Sequence, residues 1–179
     1  MSSSTPFVRR PRGQSMGRLI CLVNRRFQLY ALREMSRLQI GQGQVLLMAE
    51  LFHRNAGGRE LFSQDELATL LKVDKATVTR AMAPLERAGY VVRTADPDDR
   101  RIRRVQLTPK ALAIEADFFA ILYRWSDALL EGIPEDKQGE LFTLLRMVLA
   151  NADRMADGPR SAANMDLEDD VDGEAGDPA

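Results

Sequence analysis

One cysteine, one histidine and one tryptophan are spread over 179 residues. With Cys21 alone, no disulfide closes within the chain and a four-cysteine zinc site is excluded, which fits a reducing compartment. The sole histidine, His53, is followed by Arg54, Asn55 and glycines and reads as a surface side chain. No cluster of His, Cys or carboxylates can be assembled around it to hold a metal. Catalysis is as poorly supplied: a Ser-His-acid triad or a Cys-His pair would have to recruit Cys21 and His53 without any supporting signature, so neither enzyme activity nor a cofactor is expected. Long hydrophobic runs are missing too. The opening MSSSTPFVRRPRGQS holds basic residues and prolines but no apolar stretch of signal-peptide length, and nothing approaches a membrane span, so the chain is read as soluble and cytoplasmic with no membrane partner.

What is present is unevenly charged. The formal net charge is -1, yet residues 157–179 hold eight of the 26 acidic residues and one of the 25 basic ones, Arg160. Residues 1–156 are left at +6 against -7 for this tail. A basic body suits a polyanionic partner, although a solvated arginine-rich surface has the same charge, so placement must decide.

Along the chain, residues 1–15 are rich in Ser, Pro and Arg and are expected to be a mobile arm. Leu19, Ile20, Leu22, Val23, Phe27, Tyr30, Ala31 and Met35 recur at helical spacing and predict a long helix over about 16–37. A second is predicted over 44–54, stopped by Gly57 and Gly58. Leu61 and Phe62 suggest a very short strand. Ser63 and Glu66 then form a capping box, in which each side chain satisfies an orphan backbone donor. That helix stops at Lys72 and Val73, and Asp74 is placed to cap the next, Lys75 to Ala88, with Gly89 behind it. Two short helices joined by a tight turn make a helix-turn-helix. Tyr90 to Arg93 and Ile102 to Leu107 read as strands joined by the polar turn Asp96 to Arg100, a hairpin wing. Thr108 followed by Pro109 opens a helix expected to reach Glu131, and Pro134 opens a last one to about 156. The fold class is mainly α with a small β-hairpin wing: a winged helix-turn-helix lobe over 61–107, plus a helical dimerisation region.

In a helix-turn-helix the second helix lies in the major groove, with its first turns on base edges and phosphates. Here those turns hold Lys75, Ala76, Thr77, Thr79 and Arg80, while Val78, Met82 and Leu85 fall on the core side. Arg80 offers guanine a two-pronged hydrogen bond, and Ala76 suits a thymine methyl. In and beside the wing stand Asp99, Arg100, Arg101, Arg103 and Arg104, and an arginine-tipped ribbon matches a narrow minor groove. Asp99 is placed to orient a nearby guanidinium. Double-stranded DNA is the expected partner. Pro84 breaks the rule for an interior helix position, so a local bend is expected that leaves Lys75 to Arg80 regular.

These segments, FSQDELATLLKVDKATVTRAMAPLERAGYVVR and DPDDRRIRRVQLT, resemble the MarR-type winged-helix regulators. The family's wing signature, Asp-x-Arg with a strand ending Leu-Thr, is matched by Asp99, Arg101, Leu107 and Thr108, and the element order matches from Met16 to about Met155. Ala111 departs from it, standing where the family often has glycine. The resemblance implies a DNA-binding repressor acting as a homodimer on a palindromic operator, the first and last two helices (about 16–37, 108–131 and 134–156) interlocking. Thr77, Thr79 and Arg80 would read the major groove and Arg101 the minor groove. It also implies a pocket for a small-molecule effector that the sequence does not name; Phe27, Met48 and Phe52 are of a type that lines clefts, and more commonly of a type that forms core.

The apolar stripes Leu19 to Met35 and Leu141 to Met155 have too little surface to cover them in one small lobe, which independently favours a dimer. One branch of the family, the organic-peroxide sensors, places a reactive cysteine near the start of this first helix, so Cys21 is a candidate redox site. Its apolar neighbours Leu19, Ile20, Leu22 and Val23 point instead to a buried structural thiol. A thiol-based stress sensor and a non-enzymatic winged-helix interaction module remain the alternatives. The acidic tail, 157–179, lacks the apolar residues to fold and is expected to be disordered, as a solubilising appendage or as a competitor for the basic lobes.

Overall fold

A computed structural model of the chain describes residues 11, 13, 15–58, 61–96, 99 and 102–156. The acidic tail and most of the expected arm lie outside them, as do Arg100 and Arg101. The chain divides into two compact units, 1–128 and 129–179.

The first unit opens with α1, Met16–Met35, capped by the Ser15 hydroxyl accepting from the Arg18 amide. A 3-10 turn, Ser36–Leu38, ends on Gln39 in the left-handed region at φ 55°, so the α-helix stops two residues before the expected 37. Then come α2, Val45–Ala56, the two-residue β1, Phe62–Ser63, and the pair α3, Gln64–Leu71, and α4, Lys75–Arg87. β2, Val91–Ala95, and β3, Arg103–Leu107, follow. All pairings are antiparallel in the order β1-β3-β2, with Phe62 opposite Val105 and Val91 opposite Leu107.

The capping box forms as the spacing requires: the Ser63 hydroxyl accepts from the Glu66 amide at 3.0 Å, and the Glu66 carboxylate accepts from the Ser63 amide at 2.8 Å. α3 ends on Lys72, which takes φ 51°, a conformation uncommon without a glycine. After α4, Gly89 turns the chain at φ 76°, where a side chain would be strained. α4 stays helical through Pro84 to Arg87, and the Pro84 carbonyl accepts from the Ala88 amide at 2.9 Å.

The single helix expected from Thr108 to Glu131 is corrected to two, α5, Pro109–Ala113, and α6, Glu115–Leu130. Ile114 breaks the run at φ -103° and ψ 0°, with its amide bonded to the Ala111 carbonyl three residues back. The cause is tertiary. α5 is tied to the end of α4 by the Thr108 hydroxyl donating to the Gly89 carbonyl at 2.7 Å and the Lys110 ammonium donating to the Ala88 carbonyl at 2.7 Å, while Ala111 is fully buried. Starting α6 afresh at Glu115 buries Phe118 and Ile121.

The core of this unit joins Met35, Leu47, Met48, Leu51, Phe52, Phe62, Leu67, Val78, Met82, Leu85, Val105, Phe118 and Ile121, all at 2% exposure or less. Two tyrosines pin it: the Tyr90 hydroxyl donates to the Leu38 carbonyl at 2.7 Å, and the Tyr30 hydroxyl to the Ile121 carbonyl at 2.9 Å. Met48 and Phe52 are thus core, and Phe27 is half-buried against Trp125 at 5.6 Å between ring centroids.

The second unit contains α7, Glu135–Ala156, which buries none of its residues. Leu144, Leu145, Met147, Leu149 and Met155 are all exposed on it. No described helix is long and apolar enough to cross a membrane.

Candidate nucleic-acid interface

α4 begins where Asp74, in extended geometry, turns its carboxylate onto the helix end. One oxygen accepts from the Thr77 amide at 2.7 Å and the other from the Thr77 hydroxyl at 2.8 Å. The Thr77 oxygen in turn accepts from the Arg80 guanidinium at 2.8 Å, with Arg80 4.0 Å from Asp74 itself. The Thr77 hydroxyl and amide, and then Arg80, hold the Asp74 carboxyl below its ordinary pKa of 3.8. One carboxylate therefore starts the helix and tethers the arginine. With Val78, Met82 and Leu85 buried, the helix leaves Lys75, Ala76, Thr79 and Arg80 exposed and Thr77 half-buried within its first two turns.

Two of these side chains already have partners. Lys75 bridges to Asp65 at the start of α3, 2.8 and 3.0 Å from its two oxygens, with both residues well exposed. The Thr79 hydroxyl donates back to the Lys75 carbonyl at 2.9 Å.

Strand pairing sets the wing. Arg103 shares a sheet face with Arg93, and both line a cavity of about 290 Å³ together with Glu86 of α4. Arg93 donates to the Glu86 carboxylate at 2.8 Å through Nε and more closely through Nη2, which holds that carboxyl below its ordinary 4.5. Arg104 points to the opposite face, where its Nε lies 2.5 Å from the buried Asp96 and a terminal nitrogen 3.9 Å from Glu66 of the capping box. Asp96 also accepts from the Asp99 amide at 3.1 Å. Arg104 thus braces the wing against α3. The pairing was hidden in the sequence because strand alternation says which face an arginine takes, not which carboxylate meets it.

The site residues inferred from sequence fall into two groups, Lys75 to Arg80 on one helix end and Asp99 with Arg103 at the wing, while Arg100 and Arg101 lie outside the described residues. Cys21 is exposed, not buried as its apolar neighbours suggested, because α1 sends only Ala31 and Met35, far down the helix, into the core. His53 is exposed and packs on Phe119 at 5.0 Å between centroids. No three metal-ligating side chains come together among the described residues.

The profile of the MarR family matches residues 58–102, the span of the helix pair and most of the wing. Among solved structures, a MarR transcriptional regulator from Methanosarcina mazei Go1 superposes with a TM-score of 0.70 at 30% identity, covering 76% of this chain and 95% of that one. The chain belongs to the MarR family of transcriptional regulators. A mutant MarR from E. coli complexed with operator DNA is 28% identical, with a TM-score of 0.64 and 75% and 93% of the two chains covered. The HTH-type transcriptional regulator BilQ of Clostridioides difficile (strain CD3) is 24% identical over 136 residues, 75% of this chain and 88% of BilQ. In this MarR-family chain the departure at Ala111 is accommodated without a glycine: its amide donates to the Thr108 hydroxyl at 3.2 Å, inside an ordinary capped and proline-started turn.

Proposed function

We propose that the chain is a sequence-specific DNA-binding repressor that acts in the cytoplasm, holds a palindromic operator as a homodimer and is released by a small-molecule effector. The observation that carries this reading is the start of α4, where a capped helix exposes Lys75, Ala76, Thr79 and an Arg80 already tethered by Thr77. A preset guanidinium loses less freedom on reaching a guanine edge than a floppy one. Thr77 and Asp74 would then support Arg80, Lys75 would exchange Asp65 for a phosphate, and the wing, with Asp99, Arg100, Arg101 and Arg103, would follow the minor groove. The E. coli relative is solved complexed with operator DNA, which supports DNA as the partner. The exposed apolar residues of α1, Leu19, Ile20, Val23, Leu29 and Leu32, and those of α7 support a dimer.

Selection of duplexes from a random-sequence pool tests the reading. The expected product is two inverted half-sites about 10 base pairs apart, bound with an affinity that falls steeply with salt. Binding that shows no sequence preference in the pool refutes it.

Cys21 is exposed in the single chain, and a second reading makes oxidation of this thiol, if the dimer leaves it open, the releasing signal. Peroxide titrations of DNA binding by wild type and Cys21→Ser separate the two; superimposable curves remove the thiol.

A further inference from the structure

The one buried side-chain polar atom without a hydrogen-bond partner among the described residues is Nε2 of Gln64. Gln64 opens α3 at 5% exposure, so its amide is cut off from water. Its oxygen lies 3.5 Å from the Thr79 hydroxyl on the reading face of α4. A hydroxyl carries one proton, and two acceptors face this one: the Lys75 carbonyl at 2.9 Å and the Gln64 oxygen at 3.5 Å. The nearer carbonyl takes it. That sets the Gln64 oxygen against a lone pair of Thr79 while a donor goes unused beside it. A half-turn of the amide exchanges nitrogen and oxygen without moving another heavy atom, and Nε2 then donates to Thr79. An unpaired acceptor is left in its place, which is less costly than an unpaired donor.

With that exchange the Thr79 hydroxyl gives its one proton to the Lys75 carbonyl and accepts from Gln64, so it has no donor left for a base. Thr79 is nevertheless exposed, and what it can present outward is its methyl group. Ala76, three residues earlier on the same helix face, is exposed as well. The Thr77 hydroxyl is committed in the same manner, donating to Asp74 and accepting from Arg80. The reading face thus offers one guanidinium beside two methyl groups.

We propose, building on the assignment of α4 to the major groove, that Gln64 is a positioning residue that fixes the Thr79 rotamer, and that Ala76 and Thr79 read the 5-methyl group of thymine. Specificity next to the Arg80 contact is then apolar, without a hydrogen bond from either threonine.

The test uses the duplex that the full chain selects from the random pool, with each half-site thymine replaced in turn by deoxyuridine, which lacks only the methyl. At the contacted thymine the replacement is expected to weaken wild type about fourfold, the worth of one buried methyl-sized group. Thr79→Val drops the hydroxyl but is held by the single rotamer that valine prefers in a helix, so it needs no hydrogen bond to place a methyl and is expected to retain the uracil penalty. Thr79→Ser, which keeps the hydroxyl and drops the methyl, is expected to shrink the uracil penalty to the share that Ala76 supplies. Gln64→Met, similar in length but without an amide, is expected to shrink the penalty while the salt dependence of binding stays at the wild-type slope. Indifference of wild type to every uracil, or a penalty that survives in Thr79→Ser and vanishes in Thr79→Val, overturns the proposal. A folded Gln64→Met with the full penalty overturns the positioning role. Failure to select any duplex is a different outcome, which removes the DNA-binding assignment itself.

Discussion

Asp74 serves two groups with one carboxylate, so its removal has two separable effects. Asp74→Ala is expected to lower the melting temperature through the lost cap. It is also expected to loosen base preference at the Arg80 position, because Thr77 no longer has a fixed acceptor to orient it. Thermal melting reads the first and competition with variant duplexes the second. The pH dependence follows from the lowered carboxyl. A group whose pKa is depressed by folding contributes stability above its unfolded value, and the contribution disappears as pH falls through the folded one. Wild type and Asp74→Ala should therefore differ in urea stability at neutral pH and converge below pH 3.8, where Asp74 takes up its proton. Convergence already near neutrality would contradict the geometry. Asp65 acts in the opposite sense, because it occupies Lys75 and adds a negative charge beside the reading helix. Asp65→Asn is expected to tighten DNA binding about threefold at low salt, and less at high salt, as an exposed pair requires; titrations at two salt concentrations decide.

At the scale of elements, the legible parts of the fold are those made by neighbours in sequence. The Ser63 and Glu66 box, the Asp74 cap and the Thr108-Pro109 start are each complete within one turn, so residue types and spacing suffice to find them. The break at Ile114 was not legible. Residues 109–130 contain no glycine, and the only proline opens the first turn, so every local signal favours one helix. What divides it is the anchoring of α5 to Gly89 and Ala88, contacts 19 and 22 residues apart in sequence. The candidate interface divides along the same line. That Lys75 to Arg80 open a helix could be read from Asp74, whereas Asp65 on Lys75, Gln64 beside Thr79 and Asp96 on Arg104 come from other elements. Asp96→Ala is expected to cost about 3 kcal/mol, since it strips a buried carboxylate from a half-buried arginine, and to speed amide exchange in β3 before the rest of the sheet. Pro84 stands inside α4, which continues past it to Arg87 although its nitrogen cannot donate to the Arg80 carbonyl. Pro84→Ala restores that donor and is expected to raise stability by about 1 kcal/mol, the helix gain being partly offset by a freer unfolded chain. A lower melting temperature would mean that the ring's packing outweighs the missing bond.

For the whole molecule, two facts bear on assembly. α7 runs 22 residues and buries none of them, although leucine and methionine recur along it, and the first half of α1 exposes Met16, Leu19, Ile20 and Val23. An isolated helix in water is held mainly by what its apolar face packs against, so a second copy of the chain is the partner that would give α7 a reason to be ordered. Leu149, 64% exposed, is suited to test this, because an acidic side chain there disturbs no buried contact within one chain. Leu149→Glu is expected to sediment as a monomer at micromolar concentration where wild type sediments as a dimer, with the melting of the winged lobe little changed. Its DNA binding should fail selectively. Affinity for a single half-site should be close to that of wild type, while the gain from adding the second half-site, which only a linked pair of lobes can obtain, should be lost. A wild-type chain that sediments as a monomer, or a Leu149→Glu chain that keeps the two-site gain, would show that the apolar face of α7 serves some other purpose than pairing two reading helices.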